Sequence, residues 1–534
     1  MPITDRFSYL VLAAVLAICF LTGTACNRAV SETAATDDSK SSTEATAKKG
    51  DARRDWPMLG GTPQRNLVNT VDKNMPTEWG VQEGKFKNVK WVATLGKSSY
   101  GGPVISGGKI YVGTNNDNPR NPKEKSDQGV VMCFNEADGK FLWQALHNKL
   151  PTGDENDYAR VGIASHPTIE GDRVYYVSNR CELVCADTEG FYDNKNDGVK
   201  DEKFTDKFDA DIIWRLDMVN ELKVYPRWLA TCSPLIAGDL IFVVTDNGVD
   251  IKDHKVAAPE APSFVAINKK TGKVVWKDNS PGTKIMDGQW SNPAYAVVGG
   301  KPQVIFPGGD GWLYAFEPQT GKLIWKFDCN PKKSVYKPGG RGDRNFPVAT
   351  PVVYDSKLYI GTGQEPDDGP GVGHFWCIDI TKTGDLSPVD DNFDPKAEVN
   401  KKSGLVWHYG GPVLPKPEMG RDIVFGRTLS TCAVHDGLVY VAEFEGFLHC
   451  LDAKTGVKYW EFDLGASIWG SPMWVDGKIY LGTDDGEMQI FKHGKKAERI
   501  SKIDMERPLK STPVACNGVL YVLTDAYLYA IEKK

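Results

Sequence analysis

Apolar, aromatic and β-branched residues fall along this chain in strand-length runs, and the runs are punctuated by Gly-containing turns. One arrangement recurs nearly unchanged: CFNEADGKFLW from Cys133, AINKKTGKVVW from Ala266, AFEPQTGKLIW from Ala315 and CLDAKTGVKYW from Cys450. In these copies Asp138-Gly139, Thr271-Gly272, Thr320-Gly321 and Thr455-Gly456 put Gly where a hairpin needs positive φ, between flanks that suit a pleated surface. Each copy therefore predicts a β-hairpin. A second pair of strand signals precedes it, as in PMWV from Pro472, the turn Asp476-Gly477 and KIYLGT from Lys478, so the repeating unit is a four-stranded antiparallel sheet.

The residues that open the sheets are Pro103, Pro167, Pro234, Pro293, Pro351, Ala433, Pro472 and Pro513, which makes eight units. The last two intervals, 39 and 41 residues, approach the roughly 40–45 residues of a propeller blade, and the longer ones are that unit plus loop insertions. The expected fold is all-β, an eight-bladed β-propeller of four-stranded antiparallel blades. Its last unit, residues 511–534, lacks an outer strand, whereas KWVATL from Lys90 has the outer-strand pattern ahead of the first unit. An N-terminal strand is thus expected to complete the last blade and remove its open edge. Trp91, Trp143, Trp214, Trp276, Trp325, Trp407 and Trp460 share one outer-strand position, and Ser501 stands there in blade seven. A large ring at that spacing docks one blade on the next, each buried indole contributing roughly 2–3 kcal/mol.

These phrases resemble the tryptophan-docking repeat of the pyrroloquinoline quinone (PQQ) type propellers. That group includes quinoprotein alcohol and glucose dehydrogenases and the non-enzymatic propeller lipoprotein of the outer-membrane barrel-assembly machinery. The resemblance covers about residues 56–534, with degenerate copies at Cys185, Cys377 and Ala530. It implies PQQ and calcium as cofactors if the chain is a dehydrogenase, with a carboxylate base beside the quinone and, in the alcohol enzymes, two adjacent cysteines under it. No adjacent cysteine pair occurs, and Asp287 and Asp343 lie in suitable connectors without a partner motif. In character the chain is closer to the barrel-assembly group.

Composition narrows the setting. The 64 basic and 70 acidic residues leave a net charge of −6, which gives no footprint for nucleic acid. Arg6, the apolar run from Phe7 to Leu21 and the small residues Gly23, Thr24 and Ala25 before Cys26 read as a signal peptide over residues 1–25 with a lipobox-like end. Gly23 stands where that motif usually has Leu. Residues 26–55, rich in Ser, Thr, Ala, Asp and Lys, read as a flexible polar tether, and residues 56–534 as the propeller. The later cysteines sit on strand positions as small core residues, so they are expected as free thiols. Asp193, Asp197 and Asp201 have the offsets of a calcium loop, but Lys195 and Phe204 replace ligands, which favours a solvated acidic loop.

In such blades the connectors between blades and the loops after each second strand emerge on one face. Arg160, Arg227, Trp228, Trp290, Arg344, Arg427, Trp469 and Lys510 lie in the connectors near the blade openings. As a ring at the channel mouth they would hold a planar polyanion or a protein's acidic and aromatic side chains. The sequence therefore points to an exported, monomeric propeller of the periplasm or cell envelope, lipid-anchored to a membrane through Cys26. Its role would be non-catalytic binding or scaffolding of envelope proteins or a small ligand. A PQQ-dependent oxidoreductase is one alternative; a carbohydrate- or peptide-binding propeller using Trp228, Trp290 and Trp469 is another.

Overall fold

A computed structural model describes residues 55–124, 127–339, 342–366 and 371–533. The signal peptide, Cys26 and all but the last residue of the expected tether lie outside them. Eight antiparallel sheets follow one another along the chain. We number them blades 1 to 8: residues 104–148, 168–217, 235–278, 294–328, 352–412, 433–463, 473–504 and 514–531. In blade 1 the strands are Val104–Ser106, Lys109–Asn115, Gln128–Asn135 and Phe141–Asn148, paired in that order from the channel outwards. Val89–Thr94 pairs antiparallel with Tyr527–Ile531 and supplies the outer strand of blade 8, as expected.

The repeat's Trp and Gly meet across the seams. The Trp91 ring lies over Gly139 of the next blade, where a Cβ would stand 2.5 Å from it, and Gly139 has φ of 72°. Trp91 Nε1 donates to the Glu136 carbonyl at 3.1 Å. The indoles of Trp143, Trp214, Trp276, Trp407 and Trp460 likewise donate to carbonyls of the following blade. Trp325 differs. Its N–H bonds to Gln303 within its own blade, and Gly384–Asp385, from an insertion of blade 5, pairs parallel with its strand. The nine cysteines from Cys133 onward are buried and unbridged.

Residues 55–72, which carry no repeat pattern, close one end of the channel. Asp55 accepts from Ser106 Oγ and the Gly107 N–H in the first turn of blade 1, so this is the turn face. From there the backbone runs along the inner strands, whose channel-side edges would otherwise lack partners. Trp56 bridges to Ile105, and the Pro57, Pro63 and Gln64 carbonyls accept from Ile169, Tyr295 and Val353. Asn66 bonds Val434 through both its amide groups, Val68–Asn69 pairs parallel with the inner strand of blade 7, and Asn69 Nδ2 reaches the Ala515 carbonyl. Blade 3 is reached by Arg65. Its guanidinium is fully buried and donates to the carbonyls of Leu59, Ser233, Pro234 and Pro293. One short segment thus bonds to all eight blades.

The segment leaves between blades 7 and 8, which explains Ser501. Its hydroxyl donates to the Thr77 carbonyl at 2.7 Å, Tyr480 Oη donates to the Pro76 carbonyl, and Trp79 is buried with Nε1 on Met505 Sδ. Ser501 faces Ile490 across the pair as Trp460 faces Cys450. The small side chain leaves the passage that an indole would fill.

Candidate functional site

The channel is open at the other end, where a cavity of about 440 Å³ is lined by the connectors between blades. Its walls are the rings of Tyr100, Tyr158, Trp228, Trp290 and Trp469, and Leu59 of the closing segment lies beneath it. The walls are braced from behind. Trp469 meets Tyr100 and Phe444 edge to face at 5.6 and 5.1 Å, and Trp228 meets Tyr158 at 5.5 Å. Such contacts hold flat faces in place before any ligand arrives.

Below the rings runs a polar collar made by the residue that precedes each opening strand. The Gly102 N–H donates to His166 Nε2 at 2.7 Å, and His166 N–H donates to Ser233 Oγ at 2.9 Å. Ser233 N–H donates to Asn292 Oδ1, and Asn292 Nδ2 donates to Thr350 Oγ1. The N–H groups of Thr350, Thr431 and Ser471 then donate to the hydroxyls of Thr431, Ser471 and Thr512. Each blade from 1 to 7 is laced to the next at the neck of the channel. Burial, helped by the Arg65 charge, pushes the His166 imidazole down to about 3, so it is neutral at physiological pH. Because Nε2 accepts, the proton sits on Nδ1, which faces Ser233 Oγ at 3.2 Å.

The eight residues expected at the mouth divide into two groups. Trp228, Trp290, Trp469 and Lys510 line the cavity. The arginines do not. Arg227 is buried against Asp287, with Nε 2.6 Å from Oδ1 and its guanidinium over the Trp228 ring at 4.3 Å. Arg344 is buried against Asp328 and donates to the Asp310 carbonyl. Arg427 pairs with Glu445 and donates to the carbonyls of Glu365 and Pro366, and Arg160 is exposed on its loop. Their positions in sequence were right for a rim, but carbonyls and carboxylates from adjoining loops claim three of the four guanidinium groups. The collar went unread, although its signal is visible: a small or polar residue stands before the opening Pro in seven blades, and Thr431 before Cys432 in the other.

The donor set does not match a quinone held with calcium. Glu365 is the single carboxylate residue among the described residues of the lining. Asp287 is committed to Arg227, and Asp343 accepts the Val335 N–H on an exposed connector. Among the described residues no three His, Cys, Asp or Glu side chains gather as a metal-holding group. In the loop after Asp187, Asp193 pairs with Lys195 and Asp201 with Arg215, so those carboxylates are neutralised locally. Elsewhere His449 and Glu443 form a fully buried pair at 2.7 Å, with Arg421 on the other Glu443 oxygen and Tyr409 on His449. That network belongs to the packing between blades 5 and 6.

Tryptophan-docked blades, a closed N-terminal strand and a connector-lined mouth define a propeller of the PQQ-like repeat class. The family model described as outer membrane protein assembly factor BamB matches residues 203–392 and 397–499, more than half of the chain, and the chain belongs to that family. It is 22% identical over 298 residues to outer membrane protein assembly factor BamB of Shewanella oneidensis, covering 53% of this chain and 64% of that protein. It is also 26% identical over 295 residues to polyvinylalcohol dehydrogenase of Sphingopyxis sp., covering 49% of this chain and 43% of that one. The chain therefore spans less than two thirds of either relative. The structure of quinohemoprotein alcohol dehydrogenase from Comamonas testosteroni aligns with a TM-score of 0.58 at 15% identity, covering 90% of this chain and 82% of that one, which is a likeness of fold.

Proposed function

We propose that this protein is a non-catalytic binding propeller of the bacterial cell envelope, exported by residues 1–25, anchored through a lipid on Cys26 and carried on the tether of residues 26–55. It presents the aromatic cup to an envelope protein or a small ligand. The observation that carries this reading is the chemistry of the cup: flat aromatic walls over a collar whose members are bonded one to the next, with a single carboxylate residue among the described residues of the lining. Membership of the assembly-factor family supports the envelope setting.

A second reading, a PQQ-dependent alcohol or sugar oxidoreductase, draws on the match to polyvinylalcohol dehydrogenase. One experiment separates them. Cells expressing the full chain are fractionated and labelled with a palmitate analogue, and the purified protein is assayed for dye reduction with alcohols, sugars, PQQ and Ca²⁺. The binding reading expects an envelope protein that takes the label, a Cys26→Ser variant that does not, and no turnover. Quinone-dependent oxidation by the purified protein, or recovery in the cytoplasm, would overturn it.

A further inference from the structure

The cup's ligand class follows from its charges and its hydrogen-bonding polarity. Among the described residues of its lining Lys510 is the single cationic one, His166 being neutral. The Lys510 ammonium lies 5.4 Å from the Tyr100 and Trp469 rings and 3.7 Å from Asp484, and Glu365 adds a carboxylate to the lining. With Arg227, Arg344 and Arg427 engaged elsewhere and Arg160 exposed outside the lining, the described lining has no surplus of positive charge to hold a polyanion.

The collar adds a second constraint. The hydroxyl oxygens of Ser233, Thr350, Thr431, Ser471 and Thr512 each accept from a neighbour and line the cup. Each keeps one O–H proton, and none of the five protons has an acceptor among the described residues once Nδ1 of His166 is the donor to Ser233. A floor of five hydroxyl donors with free rotation asks for a ligand rich in oxygen acceptors. A peptide is a poorer match, since its N–H groups would have to share hydroxyl oxygens that each already accept a bond. A flat body with apolar faces, an edge of hydroxyl and ether oxygens and no net charge satisfies walls and floor together.

We propose that the cup binds a neutral sugar residue, its ring faces against Trp228, Trp290 and Trp469 and its hydroxyl edge on the collar. This deepens the binding role proposed above and rests on it. The cavity of about 440 Å³ sets the size at a monosaccharide or disaccharide, in the lower range of small-ligand clefts.

The test is calorimetry and tryptophan fluorescence with the full chain and named probes: maltose, cellobiose, N,N′-diacetylchitobiose, glucuronic acid, a Gly-Phe-Gly peptide, and PQQ with Ca²⁺. Saturable binding of at least one neutral sugar, with indole quenching and no comparable binding of the acid, peptide or quinone, is expected. Trp469→Ala and Trp290→Ala should each weaken it by roughly tenfold or more, about 1.4 kcal/mol, with the thermal midpoint nearly unchanged. Thr431→Ser, which keeps the hydroxyl, should bind as the parent does. Binding by none of the neutral sugars, preferred binding of an anion or the peptide, or full affinity in both Trp variants would overturn the inference. Because the envelope role is read from fractionation, labelling and the oxidation assay, loss of the sugar leaves that reading standing or falling on its own.

Discussion

At the turn end of the channel the inner strands are covered by backbone: residues 55–72 bond to every blade, and Arg65 hands its N–H groups to four carbonyls. At the loop end the same strands begin under a collar whose members bond one to the next, and aromatic rings stand above it. At one end the edges of the inner strands are bonded within the chain, and the other has hydroxyl protons and flat faces left over. A propeller channel is therefore not one site with two mouths. The chain has used one end for stability, and the other is where we propose that it binds.

Arg65 carries the largest expected effect at the closed end. Arg65→Ala strips the buried carbonyls of Leu59, Ser233 and Pro293 of their donor and leaves that of Pro234 to Thr168 alone, so it should cost at least about 3 kcal/mol and lower the denaturation midpoint in urea, while an equally large substitution effect at the cup is not expected. Burial alone holds the Arg65 pKa down at about 10, so the group is charged at neutral pH and no carboxylate is needed to explain its partners.

A second break targets the exit of the closing segment. Ser501→Trp restores the repeat's residue but fills the passage of residues 75–79, and overpacking of about 1–3 kcal/mol is expected, read as a lower melting temperature. If Ser501 were merely a degenerate copy, the same change would stabilise the seam instead.

A buried acid beside the cup, Asp246, gives a pH-dependent prediction. Asp246 accepts from the N–H and hydroxyl of Thr231, a residue of the lining, and burial pushes its carboxyl up to about 8. A carboxyl whose folded pKa is raised contributes stability below its unfolded value near 4, and loses it as pH rises through about 8. The melting-temperature difference between the parent and Asp246→Asn should therefore shift against the parent from pH 5 to pH 9. A difference that stays flat with pH would remove the assignment. The smallest stability effect belongs to the cup wall: Trp469→Ala, half-buried, should cost about 1 kcal/mol, against roughly 3–5 kcal/mol for the fully buried Trp143→Ala. Similar losses at the two sites would mean that the wall, too, is structural.

How far the sequence could be read depends on the range of each interaction. Within a hairpin the Gly and the docking Trp keep one spacing, as in Gly139 and Trp143, Gly272 and Trp276, Gly321 and Trp325, and Gly456 and Trp460, so periodicity exposes them although the distance along the chain from each Trp to its acceptor varies. The collar was also periodic, one residue ahead of each opening proline, and was missed because Ser, Thr, Asn, His and Gly do not look alike until their shared backbone role is seen. The rim arginines were placed correctly in the connectors and misread in direction. Composition cannot say whether a guanidinium meets solvent or a carboxylate, and Asp287 and Asp328 reach Arg227 and Arg344 only in the folded ring.

The amino-acid sequence by itself determined the number of blades, their strand order, the docking seams and the closure by the strand near Lys90. These follow from turn chemistry and ring packing repeated at short range. The tertiary structure decided which end of the channel is shut, why blade seven gives up its tryptophan and which side chains face the cup. Those outcomes rest on contacts such as Asn69 with Ala515, 446 residues apart, between segments without any shared pattern. A buried donor goes to the acceptor that geometry brings to it, and only the closed ring supplies that geometry.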